Sequence, residues 1–250
     1  MSNVLDQLLD LSHEIGVESR QLAILGEGNT SARLDDESFL VKASGSSLPV
    51  LTERDLTRCR VAPLVDLLDR DDLDDAAVTQ ALLDSRVDGR AAKPSVESMF
   101  HAYLLTLPGV RFVAHCHPVS VNAILCSDRA DDFARRRLFP DEIVCCGEQS
   151  ALVPYVDPGV PLARAIREAV LAFADETPRV ILLRNHGIIG TGATAAGALA
   201  AVRMAEKAAT IFLAAVSLGG PRFLADAEVR RIASRQDETH RRAALGLIES

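Results

Sequence analysis

Residues 110–118 read Val-Arg-Phe-Val-Ala-His-Cys-His-Pro. This is a short apolar strand that ends in two histidines separated by one residue. Successive strand side chains point to opposite faces, so His115 and His117 share a face and Cys116 points the other way, into a core. Pro118 lacks a backbone donor and ends the strand. Two imidazoles on one face are either a packed, hydrogen-bonded pair or part of a metal site. Zinc usually takes at least three protein ligands, with one position open in catalytic sites.

Two further residues are candidates to complete such a site. Residues 179–183 (Arg-Val-Ile-Leu-Leu) form a second buried-strand pattern that runs into Arg184-Asn185-His186-Gly187, so His186 also sits where a strand meets a loop. Glu97 follows Pro94-Ser95-Val96 at the start of an expected amphipathic helix that runs to about Thr106, with Ser95 as its cap. A carboxylate there can act as a ligand, as a base, or as each in turn. His101 lies four residues after Glu97 and shares its helix face. It is read as a hydrogen-bond partner in the core rather than a ligand.

Composition limits what such a site serves. A chain of 250 residues fits one large domain or two small ones, and 48% hydrophobic content is ample for a core. Without tryptophan and with 4% aromatics, that core is mostly aliphatic. A net charge of −8 argues against a nucleic-acid partner, which needs a basic face. It leaves room for an anionic small substrate, because a metal and backbone amides create a local positive site. The five cysteines form no CxxC pair, and two of them are adjacent. That suits buried thiols in a reducing cytoplasm better than a disulfide framework. The first ten residues carry no basic n-region of a signal peptide. No apolar run reaches the roughly 20 residues that span a bilayer, so no membrane partner is expected.

Along the chain, residues 4–18 repeat apolar side chains at helical spacing. Residues 21–25 are a strand candidate leading into the loop Gly26-Glu27-Gly28-Asn29-Thr30-Ser31, which is either a hairpin turn or a phosphate-wrapping loop. Residues 38–43 form the next strand, ending in Ser44-Gly45-Ser46-Ser47. Residues 59–62 and 142–146 read as strands, 66–75 as a solvated acidic turn and 76–83 as a short helix. Helices are expected over 119–125 and 162–174. The run Arg135-Arg136-Arg137 reads as a solvated face. Gly187, Gly190 and Gly192 break the chain before an Ala-rich helix over 194–216, and 226–248 reads as one final charged helix. There is no internal repeat and no linker, so the expectation is one layered α/β domain over residues 1–250.

Taken together, Gly28-Asn29-Thr30-Ser31, Ser44-Gly45, Pro94-Ser95-Val96-Glu97, His115-Cys116-His117-Pro118 and Asn185-His186-Gly187 resemble the class II aldolase/adducin family in order and spacing. The resemblance implies a three-layer αβα fold with a central, largely antiparallel sheet, and four subunits in a ring. It implies a divalent metal, usually zinc and otherwise Mn2+ or Co2+, held by His115, His117 and His186. Glu97 then matches the catalytic carboxylate. Asn29, Ser44, Gly45 and Ser95 match the groups that hold a substrate phosphate. The implied reaction cleaves a ketose 1-phosphate, a small phosphorylated sugar, to dihydroxyacetone phosphate and an aldehyde through an enediolate. Decarboxylation of a keto-sugar-acid phosphate and dehydration of a sulfur-containing ribulose phosphate are alternatives on the same scaffold. A non-catalytic, adducin-like binding role is the third.

Details separate the branches of the family. The epimerase branch typically carries Asp at the position of Glu97, which disfavours epimerisation. Val96 stands where many sugar-phosphate aldolases have Ser. The deoxysugar aldolases also use tyrosines as proton donors, and this chain has only Tyr103 and Tyr155, neither of which maps to that role.

Overall fold

A computed structural model of the chain describes residues 4–173 and 177–248. Its centre is β4 (Phe112–Cys116), the strand that delivers His115. The other strands are β1 (Asn29–Arg33), β2 (Ser38–Lys42), β3 (Leu56–Arg60), β5 (Ala151–Val153), β6 (Val180–Leu183) and β7 (Gly187–Gly192). They form one seven-stranded sheet in the order β3-β2-β1-β4-β7-β6-β5. Every pairing is antiparallel except that of β5 with β6. The sheet has a core on each face, which makes three layers. Phe112, Ala114 and Cys116 enter one core, with the helices Val4–Gly16, Val119–Leu125 and Ala195–Ser217. Val113 enters the other, with Ser98–Leu105 and Val160–Leu171. Strand alternation thus turns Cys116 away from His115, as the pattern requires.

Several elements differ from their sequence signals. The glycines of 187–192 do not break the chain; they form β7, which pairs with both β4 and β6. Their small size is what the Ala195–Ser217 helix needs to approach. A Cβ on Gly190 would meet the Ala198 carbonyl and Val202 Cγ2, each at 2.7 Å, and one on Gly192 would meet Ala198 N at 2.6 Å. Residues 21–25 are not a strand: Gln21 and Leu25 have positive φ, and the strand starts later, at Asn29. Residues 142–146 belong to a helix, Pro140–Cys146, because Pro140 opens it and its apolar side packs on Ala195–Ser217. A short apolar run carries no periodicity to decide between strand and helix. The third strand begins at Leu56 and ends at Arg60, ahead of the expected 59–62. The acidic stretch contains a short 3-10 turn, Asp66–Asp69.

Other expectations hold in altered form. The Ser98–Leu105 helix is buried on every side, not amphipathic, because it is sandwiched between the sheet and the Ala62–Val65 and Val160–Leu171 helices. Glu97, not Ser95, occupies its N-cap position. Arg135 and Arg136 are exposed, but Arg137 is 1% exposed. Its guanidinium donates to the Gly147 carbonyl at 2.8 Å and to Ser150 Oγ at 3.0 Å, with Glu142 at 3.8 Å. The final helix is two, Asp226–Ala233 and Gln236–Ala244, parted where Ser234 Oγ bonds back to the Arg230 carbonyl. The Val160–Leu171 helix stops short of residue 174, which lies outside the described residues. Thr194 caps the Ala-rich helix by accepting from Gly197 N at 2.9 Å.

The tight seat of β7 under that helix yields a stability prediction. Gly190→Ala forces backbone or Val202 to move and costs about 1–3 kcal/mol, the usual range for overpacking. Urea unfolding checks it: the midpoint falls while the denaturant slope is kept.

Candidate metal centre and active site

Three strand ends meet above the sheet. His115 is the fourth residue of β4, and His117 follows its end by one. His186 lies in the tight turn joining β6 to β7, closed by its N–H bond to the Leu183 carbonyl. Asn185 takes the left-handed conformation in that turn at φ 53°, which Asn tolerates better than most residues. Asn122 Nδ2 donates to the His186 carbonyl at 3.0 Å and holds the turn. β4 pairs with β7 up to Cys116–Ile188, which brings Gly187 beside His117 just past the end of the ladder. A Cβ on Gly187 would lie 2.6 Å from His117 Cδ2 and 3.3 Å from His115 Cε1. The missing side chain is therefore the space the imidazoles occupy.

The ligand atoms of His115, His117 and His186 lie within 4.8 Å of one another. Among the described residues this is the cluster of three His, Cys, Asp or Glu side chains able to hold a metal ion. His115 Nδ1–H donates to the Ile188 carbonyl at 3.0 Å, so its Nε2 carries a lone pair. That nitrogen lies 3.1 Å from His117 Nε2. Tetrahedral zinc with Zn–N bonds of about 2.0–2.1 Å sets its nitrogens roughly 3.3 Å apart. The donor set therefore fits a metal. Outer-shell partners that fix the tautomer are the usual companions of such ligands. Burial first, and His186 second, push the His115 pKa down to about 3, against the opposing bond to Ile188. His117 and His186 are shifted down too, by burial first. All three are thus kept in the neutral, ligating form.

Glu97 faces the cluster. Its Oε2 is 3.5 Å from His115 Nε2, and its Oε1 is 3.5 Å from His186 Nε2. Asn29 Nδ2 donates to Glu97 Oε2 at 2.7 Å and to Ser95 Oγ at 3.3 Å. Asn29, Ser95, Glu97 and the three histidines are therefore in one constellation. Ser44 and Gly45 stand on the adjoining exposed turn, tied by Ser44 N to the Lys93 carbonyl at 2.9 Å and by the Ala43–Pro94 bridge. No direct bond joins that turn to the histidines.

Two charged groups escaped the sequence reading. Lys42, at the end of β2, is 4% exposed, and its ammonium reaches the Gly26 carbonyl at 3.4 Å. Burial lowers its pKa while the charge of Glu97 opposes that fall. The signal was a lysine at the end of an otherwise apolar strand. Glu27 Oε2 lies 3.7 Å from His117 Nδ1. Its signal was a lone carboxylate between Gly26 and Gly28. His13 and His240 are exposed and take no part in the cluster.

Residues 7–213 match the family described as Class II Aldolase and Adducin N-terminal domain. The chain belongs to that family. It is 29% identical over 220 residues to the 3-oxo-tetronate 4-phosphate decarboxylase of Haemophilus influenzae, covering 86% of this chain and 90% of that protein. It is 27% identical over 197 residues, 76% of its length, to the uncharacterized oxidoreductase YuxG of Bacillus subtilis, and spans 26% of that longer protein. In structure it is similar to an L-fuculose 1-phosphate aldolase, with a TM-score of 0.72 at 20% identity, covering 93% of this chain and 95% of that one. This class II aldolase-type fold accounts for the sheet and the two layers of helices. Among the described residues, no helix is long and apolar enough to cross a membrane.

Two predictions follow from the geometry of the cluster. Gly187→Ala pushes the His117 ring aside and weakens metal binding by about 10–100-fold, the range for disturbed outer-shell support; titration of chelator-stripped protein with Co2+ reads it. The second concerns acid. Between pH 6.5 and about 3 the unfolded chain protonates His115 and the folded protein does not. The stability of metal-free protein is therefore full above 6.5 and falls as pH drops toward 3. Thermal melts in chelator across that range follow it, and a flat profile would contradict the buried neutral imidazole.

Proposed function

We propose that the chain is a metal-dependent lyase that breaks a carbon–carbon bond beside a carbonyl of a small phosphorylated sugar or sugar acid. The observation that carries this reading is the convergence of three neutral imidazoles with the Glu97 carboxylate 3.5 Å from two of them. Zinc is the metal proposed, because neutral imidazoles with a position left open suit it, with Mn2+ or Co2+ as alternatives. When bound, the metal supplies a Lewis acid for the substrate carbonyl and its neighbouring hydroxyl. Glu97 carries the proton to or from the adjacent carbon. A site that keeps all three ligands and the carboxylate argues against a purely adducin-like binding role.

The phosphate is proposed to sit on Lys42, Asn29, Ser95 and the Ser44-Gly45 turn. In support, Lys42 is a buried cation, Gly45 has a left-handed φ of 83°, and the Ser44 turn is hydrogen-bonded to Lys93 in the loop that leads to Ser95. A local positive seat of this kind reconciles an anionic substrate with a net charge of −8.

Two leaving groups are compatible with this site. Decarboxylation expels carbon dioxide without a proton change on the leaving fragment, so Glu97 alone suffices. The similarity to the Haemophilus influenzae decarboxylase along most of both chains favours it. Aldol cleavage of a ketose 1-phosphate to dihydroxyacetone phosphate and an aldehyde needs a second group to take the hydroxyl proton. Tyr103 is buried in the core and Tyr155 is exposed and bonded to Asp157 at 3.3 Å, so neither tyrosine is placed for it. Glu27, beside His117, is the residue available. The aldol reading, drawn from the family resemblance, is thus the second. A ring of four copies of the one domain, residues 1–250, is proposed from the family resemblance; the exposed apolar side chains of Ile24, Leu25, Val96 and Val119 are ones that a partner subunit could cover. Unpaired cysteines fit a cytoplasmic location.

The reaction separates the readings. A decarboxylase releases carbon dioxide from keto-sugar-acid phosphates and leaves dihydroxyacetone phosphate unexchanged in deuterated water. An aldolase exchanges its carbon-bound proton. Under either reading, Glu97→Gln keeps metal and fold and loses about 10²–10⁴-fold in turnover, the usual contribution of a general acid–base group. Retention of full turnover, by steady-state kinetics, would remove Glu97 from the mechanism.

A further inference from the structure

Below Glu97 runs a line of buried polar groups that includes none of the metal ligands. His101 is 0% exposed, and its ring stacks on Phe100 with centroids 4.5 Å apart. Its Nδ1 is 2.6 Å from Ser31 Oγ, itself fully buried, and its Nε2 is bonded to Asn29 Oδ1. Asn29 in turn reaches Glu97 Oε2 at 2.7 Å and Ser95 Oγ at 3.3 Å. Ser31 and Asn29 lie two apart on β1, so alternation turns both toward the same helix.

A carboxamide has nearly the same shape in both orientations, so only its partners decide which end faces Glu97. A neutral imidazole carries one ring proton. Placed on Nε2, that proton goes to Asn29 Oδ1, and the amide must turn its NH2 to Glu97. The Ser31 hydroxyl then donates to Nδ1. Placed on Nδ1, it would go to Ser31, and Nε2 would need a donor. The amide would then flip and set its oxygen 2.7 Å from a carboxylate oxygen, acceptor against acceptor. Burial, and next the neighbouring His115, hold His101 in the neutral form, so the choice between these two protonation patterns is all that remains.

We propose that His101 is a positioning residue: its Nε2–H locks the Asn29 carboxamide with NH2 toward Glu97 and so holds that carboxylate in the orientation that faces His115 and His186. The consequence for the reaction rests on the lyase reading above, in which Glu97 moves the proton. The hydrogen-bond chain itself does not.

The test has two arms. Nitrogen-15 spectra of the full-length protein labelled at histidine are expected to show His101 as the neutral Nε2–H tautomer, with a slowly exchanging ring proton. The Nδ1–H tautomer, or a ring protonated at neutral pH, would overturn the proposal. This arm uses no substrate and no variant. A protein with the expected tautomer and no lyase activity would refute the reaction and keep the chain. In the second arm, His101→Phe preserves the stacking ring and removes the bond. Turnover is expected to fall by up to about 100-fold, the effect of misplacing a reacting group by about an ångström, with KM and metal content unchanged. Asn29→Ala added to it should lower turnover little further, because both act on Glu97 through one contact; the loss of Asn29 from the proposed phosphate seat is expected in KM instead. His101→Gln, which can still donate to Oδ1, should recover part of the loss. Additive losses, or an effect on KM alone, would overturn the positioning role. Should His101→Phe fail to fold, the tautomer of the unaltered protein decides.

Discussion

The pairing of β4 with β7 is the constraint on which the site depends. It places the turn that carries His186 against the end of the strand that carries His115 and His117. Backbone hydrogen bonds fix the register, and a slip by one residue would turn His115 to the opposite face. The same pairing supplies the Ile188 carbonyl that orients the His115 ring. It also brings Gly187 to the one place where a side chain would collide with an imidazole. Ligand spacing, ligand tautomer and room for the ligands thus come from one antiparallel ladder rather than from separate devices.

Glu97 is positioned by a different logic. It sits at the N-cap of a helix buried on every side, so the helix cannot shift without opening a core. Its carboxylate is gripped from β1 by Asn29 and faces two imidazoles from three further strands. The Glu97 carboxylate therefore stands between two rigid elements, one helical and one in the sheet. A buried carboxylate left without such partners would be costly. Here the hydrogen bond that satisfies it is also the one that aims it.

Much of this was legible in the chain. Alternation alone put His115 and His117 on one face and Cys116 in the core, and a hydrogen-bonded core role for His101 followed from its helical offset to Glu97. Helix 119–125 has the end residues expected for it, with Pro118 at its N-cap position. The element that escaped, β7, is the one that matters most to the site. Glycine in a strand pattern usually weakens it, and in Gly-Ile-Ile-Gly-Thr-Gly three glycines set against the β-branched Ile188, Ile189 and Thr191 leave the pattern ambiguous. The reason those residues are small lies outside their own neighbourhood, in the Ala195–Ser217 helix and in the His117 ring. Local pattern reading does not see packing partners, whether the helix that follows directly or the His117 ring far back in the chain. Residues 142–146 were misread on the same ground: Ile143 and Val144 suit strand or helix, and packing on Ala195–Ser217 decided it.

The missed Lys42 shows where charge and burial have to be argued together. A lysine at 4% exposure has lost most of its water, and burial drives its pKa down. Among the described residues its ammonium donates to the Gly26 carbonyl at 3.4 Å, a weak replacement for hydration. The compensating charge is that of Glu97, at a remove. Such an arrangement is unfavourable to stability taken alone, because desolvation of an ammonium is only partly offset. Under the proposed function it would become favourable with an anionic substrate group beside the ammonium. Substrate binding then relieves a cost already present in the folded protein, and the ammonium does not have to be stripped of water at the moment of binding. The same reasoning applies to the three imidazoles, whose ligand atoms lie within 4.8 Å of one another: under the proposed function an anion would offset the cost at Lys42, and a cation would draw the imidazole nitrogens together.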